Sequence, residues 1–355
     1  MGWNPGQKAA MREVMLKTDP GVYFYARLDS SHFITKDLQE HKEEEDEVEE
    51  EKEHRKEAVV IKGKEKVPLE EDRGIVSIIN AIRFGDDQAW LGCYLTAEDQ
   101  RGKGYGLALF THALNHLGKY RKSIGLNAVI SQVPNYQKSG FTKSSWMNER
   151  RRGAASDIVE DNDRRKLAEE MAKGIEDEGE AVEGVVVLLS DPRVDQDQLY
   201  KMEKRYTGLD RPEFIKYWVD YHANGDASAH HRVGIAVLSS TKTDPYSGKP
   251  LLLGYGCTRP AIVSYRLGPL YATDGKVARQ LLVKIAINVI AAEKRDPLGV
   301  PLMFDIDIVQ ENKSAVEIFD RIGWPNVVSS LRMWRGVVPP YEANGCFGIA
   351  TGEAG

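Results

Sequence analysis

Cysteine is scarce in this 355-residue chain: only Cys93, Cys257 and Cys346 occur, far apart and without metal-ligand spacing. That argues against a disulfide scaffold or a structural zinc, and the expected compartment is reducing. No apolar run approaches the length of a membrane span, and the N-terminus shows no charged segment followed by an apolar stretch. A cytoplasmic or otherwise intracellular location without signal peptide or transmembrane segment is the expectation. Two common phosphate-binding signatures are also missing. No Gly is followed by four residues and then Gly-Lys-Ser/Thr, and Gly-x-Gly-x-x-Gly fails because Leu107 and Leu109 stand where the third glycine belongs. Acidity is localised rather than general. Residues Glu40 to Glu57 hold eleven Asp/Glu against four Lys/Arg, so the net −6 falls almost wholly there and the rest carries +1. The whole-chain charge therefore excludes no class of partner.

What the chain does contain is a glycine-rich stretch, Asp99-Gln100-Arg101-Gly102-Lys103-Gly104-Tyr105-Gly106. The apolar run Ala89 to Leu95 before it reads as a strand buried on both faces. After it, Leu107, Phe110, Ala113, Leu114 and Leu117 recur at helical spacing until Gly118. Strand, glycine loop and helix in that order allow backbone N–H groups to converge at the positive end of the helix, an anion cradle. A tight turn that holds no ligand is the alternative. Downstream, Ile124 to Ile130 reads as another buried strand, followed by Tyr136-Gln137-Lys138-Ser139-Gly140-Phe141.

Arg101-x-x-Gly104-x-Gly106 resembles the Arg/Gln-x-x-Gly-x-Gly/Ala signature of the GNAT superfamily of acyl-CoA N-acyltransferases, and Tyr136 to Phe141 resembles its Tyr-x-x-x-Gly-Phe motif. A weaker copy of the second motif runs from Asn312 to Trp324, with Phe319 in place of the tyrosine. GWNPG at Gly2 to Gly6, NYQKSGF at Asn135 to Phe141, LGPLYA at Leu267 to Ala272, RMWRG at Arg332 to Gly336 and FGIATGEAG at Phe347 to Gly355 resemble tandem members of that superfamily. The resemblance implies an α/β, more strictly α+β, GNAT fold in two tandem domains, each a mixed and mostly antiparallel central sheet flanked by helices. The expected boundaries are 1–147 for the first domain, with an acidic, disordered or loosely helical insertion at about 36–73, 148–184 for a charged linker, and 185–355 for a diverged second domain. The usual opening strand and helix of such a domain are missing. Arg150-Arg151-Arg152 is expected at the solvated boundary, and His112 and His116 on the solvent face of the first helix.

The resemblance also implies a reaction: direct attack of an amine on the thioester of acetyl-CoA, without a metal. Backbone N–H groups of Arg101, Gly102, Lys103, Gly104, Tyr105 and Gly106 would hold the pyrophosphate, with Arg101 and Lys103 adding charge. Backbone groups near Tyr94 and Leu95 would hold the pantetheine arm, and Tyr136 would protonate the departing thiolate or else be a packed helix aromatic. No general base is identified, since Leu91, Gly92 and Cys93 offer no carboxylate. In the second half, Thr273-Asp274-Gly275-Lys276-Val277-Ala278 stands where the glycine loop belongs, and Asp274 reads as an N-cap that occupies the helix-terminal amides. Catalysis is therefore expected in the first half. The acceptor is read as a small-molecule or peptide amine; neither nucleic acid nor membrane is expected as a partner, and a homodimer is compatible with the sequence. A catalytically inactive acyl-CoA-binding or protein-interaction protein is the competing reading.

Overall fold

The computed structural model describes residues 14–19, 23–28, 33–37, 59–61, 75–118, 121–172, 184–223, 232–292 and 301–355. After a short helical turn at Leu16–Thr18, strands β1 (Tyr23–Leu28), β2 (Phe33–Asp37), β3 (Val59–Ile61), β4 (Ile75–Phe84) and β5 (Gln88–Thr96) lead into the glycine turn. Helix α1 (Tyr105–Leu117), β6 (Ser123–Val129), α2 (Val133–Lys138), β7 (Lys143–Ala154) and α3 (Ala155–Ala172) follow. The second half comprises β8 (Gly184–Leu188), α4 (Gln196–Thr207), α5 (Pro212–Ala223), β9 (Val233–Thr243), β10 (Pro250–Pro260), β11 (Tyr265–Ala272), α6 (Gly275–Ala292), β12 (Met303–Val309), α7 (Lys313–Arg321), β13 (Asn326–Gly336) and β14 (Cys346–Gly348). The repeated order of strand, helix, strand, helix, strand in β5 to β7 and β11 to β13 bears out the α/β reading with a largely antiparallel sheet. Most of the acidic insertion lies outside the described residues, although β3 falls within it and pairs with β2.

One continuous sheet joins the halves in the order β3-β2-β1-β4-β5-β6-β13-β7-β12-β11-β10-β9-β8. The strands after the two Gly-aromatic turns, β7 and β13, are exchanged. β13 of the second half pairs with β6 of the first, β7 of the first half pairs with β12 of the second, and the two pair with each other. Neither half's sheet is complete without a strand from the other. One face carries α1 and α2 over the first half and α3, α6 and α7 over the second, each with its own apolar core. The opposite face is covered by α4, α5 and the C-terminal residues, in a core that reaches from Ile82 and Trp90 to Tyr255 and Tyr271.

This exchange corrects the expected linker. Residues 148–154 are the inner half of β7 and 155–172 form α3, so only 173–183 of the expected 148–184 fall outside the described structure. The arginine triplet is correspondingly not solvated. Directly across the β7–β12 ladder, Arg150 faces Asp307 and Arg152 faces Asp305. Arg150 binds Asp307 through two hydrogen bonds of 2.7 and 3.0 Å, Arg266 adds one of 2.5 Å, and Arg152 reaches Asp305 at 2.5 Å. Arg151 points to the other face, toward Glu149 at 2.6 Å and Asp320 at 2.7 Å. Burial would raise the Asp307 carboxyl, but Arg266 and Arg150 outweigh it and hold it well below the usual carboxylate range. Sequence placed these charges at a boundary because Asp305, Asp307 and Asp320 lie about half a chain away.

Candidate active site

β5 pairs with β4 along its length but with β6 only at its start. β6 runs parallel to it from Gln88 to Leu91 and pairs no further, leaving residues 92–96 without a partner strand on that side. Burial follows the pairing: Ala89, Trp90 and Leu91 are buried, whereas Leu95 is 39% exposed. On the β4 side the register passes from Asn80 opposite Gly92 to Ile78 opposite Leu95, so Cys93 and Tyr94 together oppose Ile79. That is a β-bulge, and Cys93 is the non-glycine residue with positive φ, +48°, among the described residues. Ser77 Oγ donates to the Leu95 carbonyl at 2.8 Å and fixes the strand beyond the bulge. The outcome is a wedge-shaped opening in the sheet, flanked by the expected pantetheine-binding backbone of Tyr94 and Leu95.

The glycine turn lies at the mouth of this opening. Gly102 and Gly104 adopt φ of +78° and +88°, and a Cβ at either would meet nothing within 4 Å, so the backbone conformation demands glycine while the space beside it stays open. Gly106 is different: a Cβ there would lie 2.6 Å from Thr96 Oγ1 and 2.7 Å from Tyr94 Oη, so its absence lets the Tyr94 side chain lie against the start of α1. Gly104 is the N-cap and offers no side-chain acceptor, and the first turn holds no acid. No cap side chain or first-turn carboxylate therefore neutralises the positive end of the helix dipole. Arg101 and Lys103 are exposed; Arg101 Nε donates to the Thr96 carbonyl at 3.2 Å and Lys103 Nζ to Gln100 at 3.1 Å. Tyr105 packs against the first-half core.

Helix α1 buries Leu109, Phe110, Ala113 and Leu117, and stops at Gly118 with φ +85°. Leu107, expected in the stripe, is instead 65% exposed. His112 and His116, expected on the solvent face, pack their rings against Phe24 of β1 at 5.1 and 4.8 Å. Phe110 is the hub that gathers the candidate aromatics, with Tyr94 at 5.3 Å, Tyr136 at 5.8 Å and Phe141 at 6.2 Å between ring centroids. Tyr136 on α2 thus packs against Phe110, which also carries Tyr94. Burial, with a smaller contribution from Tyr94, pushes its phenol up to about 12, so the proton stays in place throughout the physiological range.

The corresponding place in the second half is closed. Asp274 Oδ1 accepts from the backbone N–H of Lys276 at 2.8 Å and of Val277 at 3.0 Å, which occupies the amides at the start of α6 as its N-cap reading expects. β11 pairs with β12 only from Tyr265 to Leu267, and β14 then takes the vacated edge, opposite Leu270 and Tyr271. The backbone N–H of Ile349 donates to the Asp307 carbonyl at 3.0 Å and completes the seal.

Beyond β14, the chain enters the first half, which sequence reasoning did not foresee. Asn127 Nδ2 donates to the Gly352 carbonyl at 3.4 Å and Asn80 Nδ2 to the Glu353 carbonyl at 3.0 Å. Arg211 holds the carbonyls of Ala354 at 2.6 Å and Gly355 at 3.0 Å while pairing with buried Glu203. This segment crosses β5 at Gly92, where a Cβ would lie 2.1 Å from the Glu353 carbonyl oxygen. A glycine inside an otherwise apolar strand was the available signal that another backbone comes close.

Two models described as acetyltransferase (GNAT) domain match the chain, one over residues 35–155 and one over 199–348. The chain belongs to the GNAT family and is an acyltransferase built from two such units. It is 25% identical over 280 residues to holothin acyltransferase of Pseudoalteromonas sp. (strain SANK 73390), covering 79% of this chain and 78% of that one. An acetyltransferase candidate from Pyrococcus horikoshii has a similar fold, with a TM-score of 0.56 and 16% identity over 98% of this chain and 84% of its own. A tandem GNAT protein of the clavulanic acid pathway aligns with a TM-score of 0.45 and 13% identity over 73% of this chain and 78% of its own. Among the described residues there is no grouping of three His, Cys, Asp or Glu suited to a metal, and no helix long and apolar enough to cross a membrane.

Proposed function

We propose that the chain transfers an acetyl group from acetyl-CoA to the amine of a small molecule or peptide, and that the first half carries the reaction. The observation that carries this reading is the contrast between an uncapped glycine turn beside an open strand edge in the first half and a capped helix beside a filled edge in the second. A bound acyl-CoA supplies an activated thioester. Backbone N–H groups from Arg101 to Gly106 suit its pyrophosphate, with Arg101 and Lys103 adding positive charge. Backbone on the β6-facing side of Tyr94 and Leu95 suits the pantetheine arm, and a backbone N–H at the Cys93–Tyr94 bulge would serve a developing oxyanion.

Tyr136 supports the leaving sulfur in a limited way. A phenol near 12 loses its proton to a thiolate of ordinary basicity, about 8.5, only against a gradient of 3 to 4 units, or about 5 kcal/mol. Its role in this reading is to donate a hydrogen bond to the thiolate while the proton that finally settles there comes from the amine. Tyr136→Phe should then lower kcat by roughly 10- to 100-fold, the range of one hydrogen bond to a charged group, with acetyl-CoA affinity unchanged. Free-thiol release with an amine panel measures it. Acetyl-CoA binding without release for any amine would favour the non-catalytic reading, which the absence of a carboxylate on β5 itself supports.

A further inference from the structure

β5, the strand with the open edge, carries no carboxylate of its own, yet the backbone of a glutamate from about 260 residues away lies against it at Gly92. Thr351 to Gly355 leaves the sealed edge of the second half and lies across Gly92, pinned by Asn127 from β6, Asn80 from β4 and Arg211 from the start of α5. The Asn80 amide nitrogen contacts both the Glu353 carbonyl at 3.0 Å and Cys93 Sγ at 3.9 Å, so Glu353 and the bulge are neighbours through a single side chain. Glu353 is 5% exposed, and one of its carboxylate oxygens accepts a hydrogen bond from Thr351 Oγ1. The charged or titratable groups that face it are Cys93 on β5, Arg150 on β7 and Arg259 on β10.

The other buried carboxylates among the described residues are committed. Asp307 is held by Arg150 and Arg266, Asp305 by Arg152 and Ser264, Glu203 by Arg211, and Asp19 by Arg83. The Cys93 thiol is no substitute, because burial and then the Glu353 charge push it well above its ordinary value.

We propose that Glu353, carried on the C-terminal segment of the second half, is the general base for the amine in the first half. The proposal rests on acyl transfer occurring in the first half. The Glu353 carboxylate takes a proton from the incoming ammonium, directly or through water. The neutral nitrogen attacks the thioester carbonyl, a C–N bond forms, and the C–S bond breaks. The thiolate leaves hydrogen-bonded to Tyr136 and is neutralised by the second proton shed by the nitrogen. Glu353 returns its own proton to solvent, so each turnover yields amide, free thiol and one proton.

The test uses the full chain as wild type, Glu353→Gln and Glu353→Asp, with Cys93→Ser as a labelling control, and compares melting temperatures first. Alkylation of Cys93 by iodoacetamide, followed by mass spectrometry across pH, should move to lower pH in Glu353→Gln and stay near wild type in Glu353→Asp. Thiol release from acetyl-CoA, with hydroxylamine and a panel of primary amines, should fall about 10²-fold in kcat/KM for the amine in Glu353→Gln. That deficit should narrow as pH approaches the amine's own pKa, with acetyl-CoA affinity by calorimetry unchanged and Glu353→Asp retaining part of the rate. A folded Glu353→Gln with wild-type rate and pH profile, or an unshifted Cys93 profile, overturns the proposal alone. A wild type that binds no acetyl-CoA overturns the transfer reading and the proposal with it. Binding without transfer to any probe overturns the proposal while leaving cofactor binding intact.

Discussion

The starts of α1 and α6 occupy equivalent places in the two halves and have opposite chemistry. At α1 the N-cap is a left-handed glycine, which supplies no side-chain acceptor; at α6 an aspartate supplies one that satisfies two backbone amides. The adjoining strand edges differ in the same sense, since β5 is left open after Leu91 while β11 is closed by β14. The two GNAT units thus differ at one helix end, capped by a side chain in the second and only by glycine in the first. The segment that reaches the first half is held there by Asn80 and Asn127, with Arg211 gripping its end.

The largest expected effect comes from breaking the seam that lets the halves differ. Asp307→Asn leaves Arg150 and Arg266 without their shared carboxylate in a buried position and should cost about 3–5 kcal/mol of stability, read by denaturant unfolding. The pH dependence follows from the sign of the shift. The folded-state value of Asp307 is depressed, so its contribution is complete above the unfolded value of about 4 and is lost as pH falls below it toward strongly acid conditions. In wild type, unfolding stability should decline through that window, and the decline should be shallower in Asp307→Asn.

Next in size is Gly92→Ala, whose added methyl would clash with the Glu353 carbonyl and with Asn80 Oδ1 at 2.6 Å. Overpacking of this kind costs about 1–3 kcal/mol, and displacement of the C-terminal segment should show as faster backbone amide exchange at residues 351–355. The smallest effect is expected from Asp274→Ala. Losing the cap should cost about 1 kcal/mol in thermal unfolding, yet the binding stoichiometry for acetyl-CoA should stay at one per chain because β14 still fills the edge.

Much of this contrast was legible in the sequence because it is local. Alternate glycines before an apolar helical stripe, Asp274 before α6, and Tyr136 before a Gly-Phe turn each act through neighbours a few residues away. What stayed hidden depends on partners far along the chain. Arg150 and Arg152 read as solvated until β12 places Asp307 and Asp305 opposite them, and no local pattern reveals that β7 and β13 change places. Glu353 lies in a Gly-rich terminal stretch that resembles a loop; its meaning comes only from Asn80, Asn127 and Gly92. The bulge at Cys93 likewise follows from the register with β4 rather than from the residues of β5.

The central claim is that the glycine turn of the first half is the acyl-CoA anion site. Calorimetric titration of acetyl-CoA into wild type and Gly104→Trp tests it most directly, with melting temperatures confirming that both are folded. The account expects one site per chain in wild type and at least about a 100-fold loss of affinity in the variant, equivalent to about 2.7 kcal/mol. Equal affinity in the two proteins would contradict it.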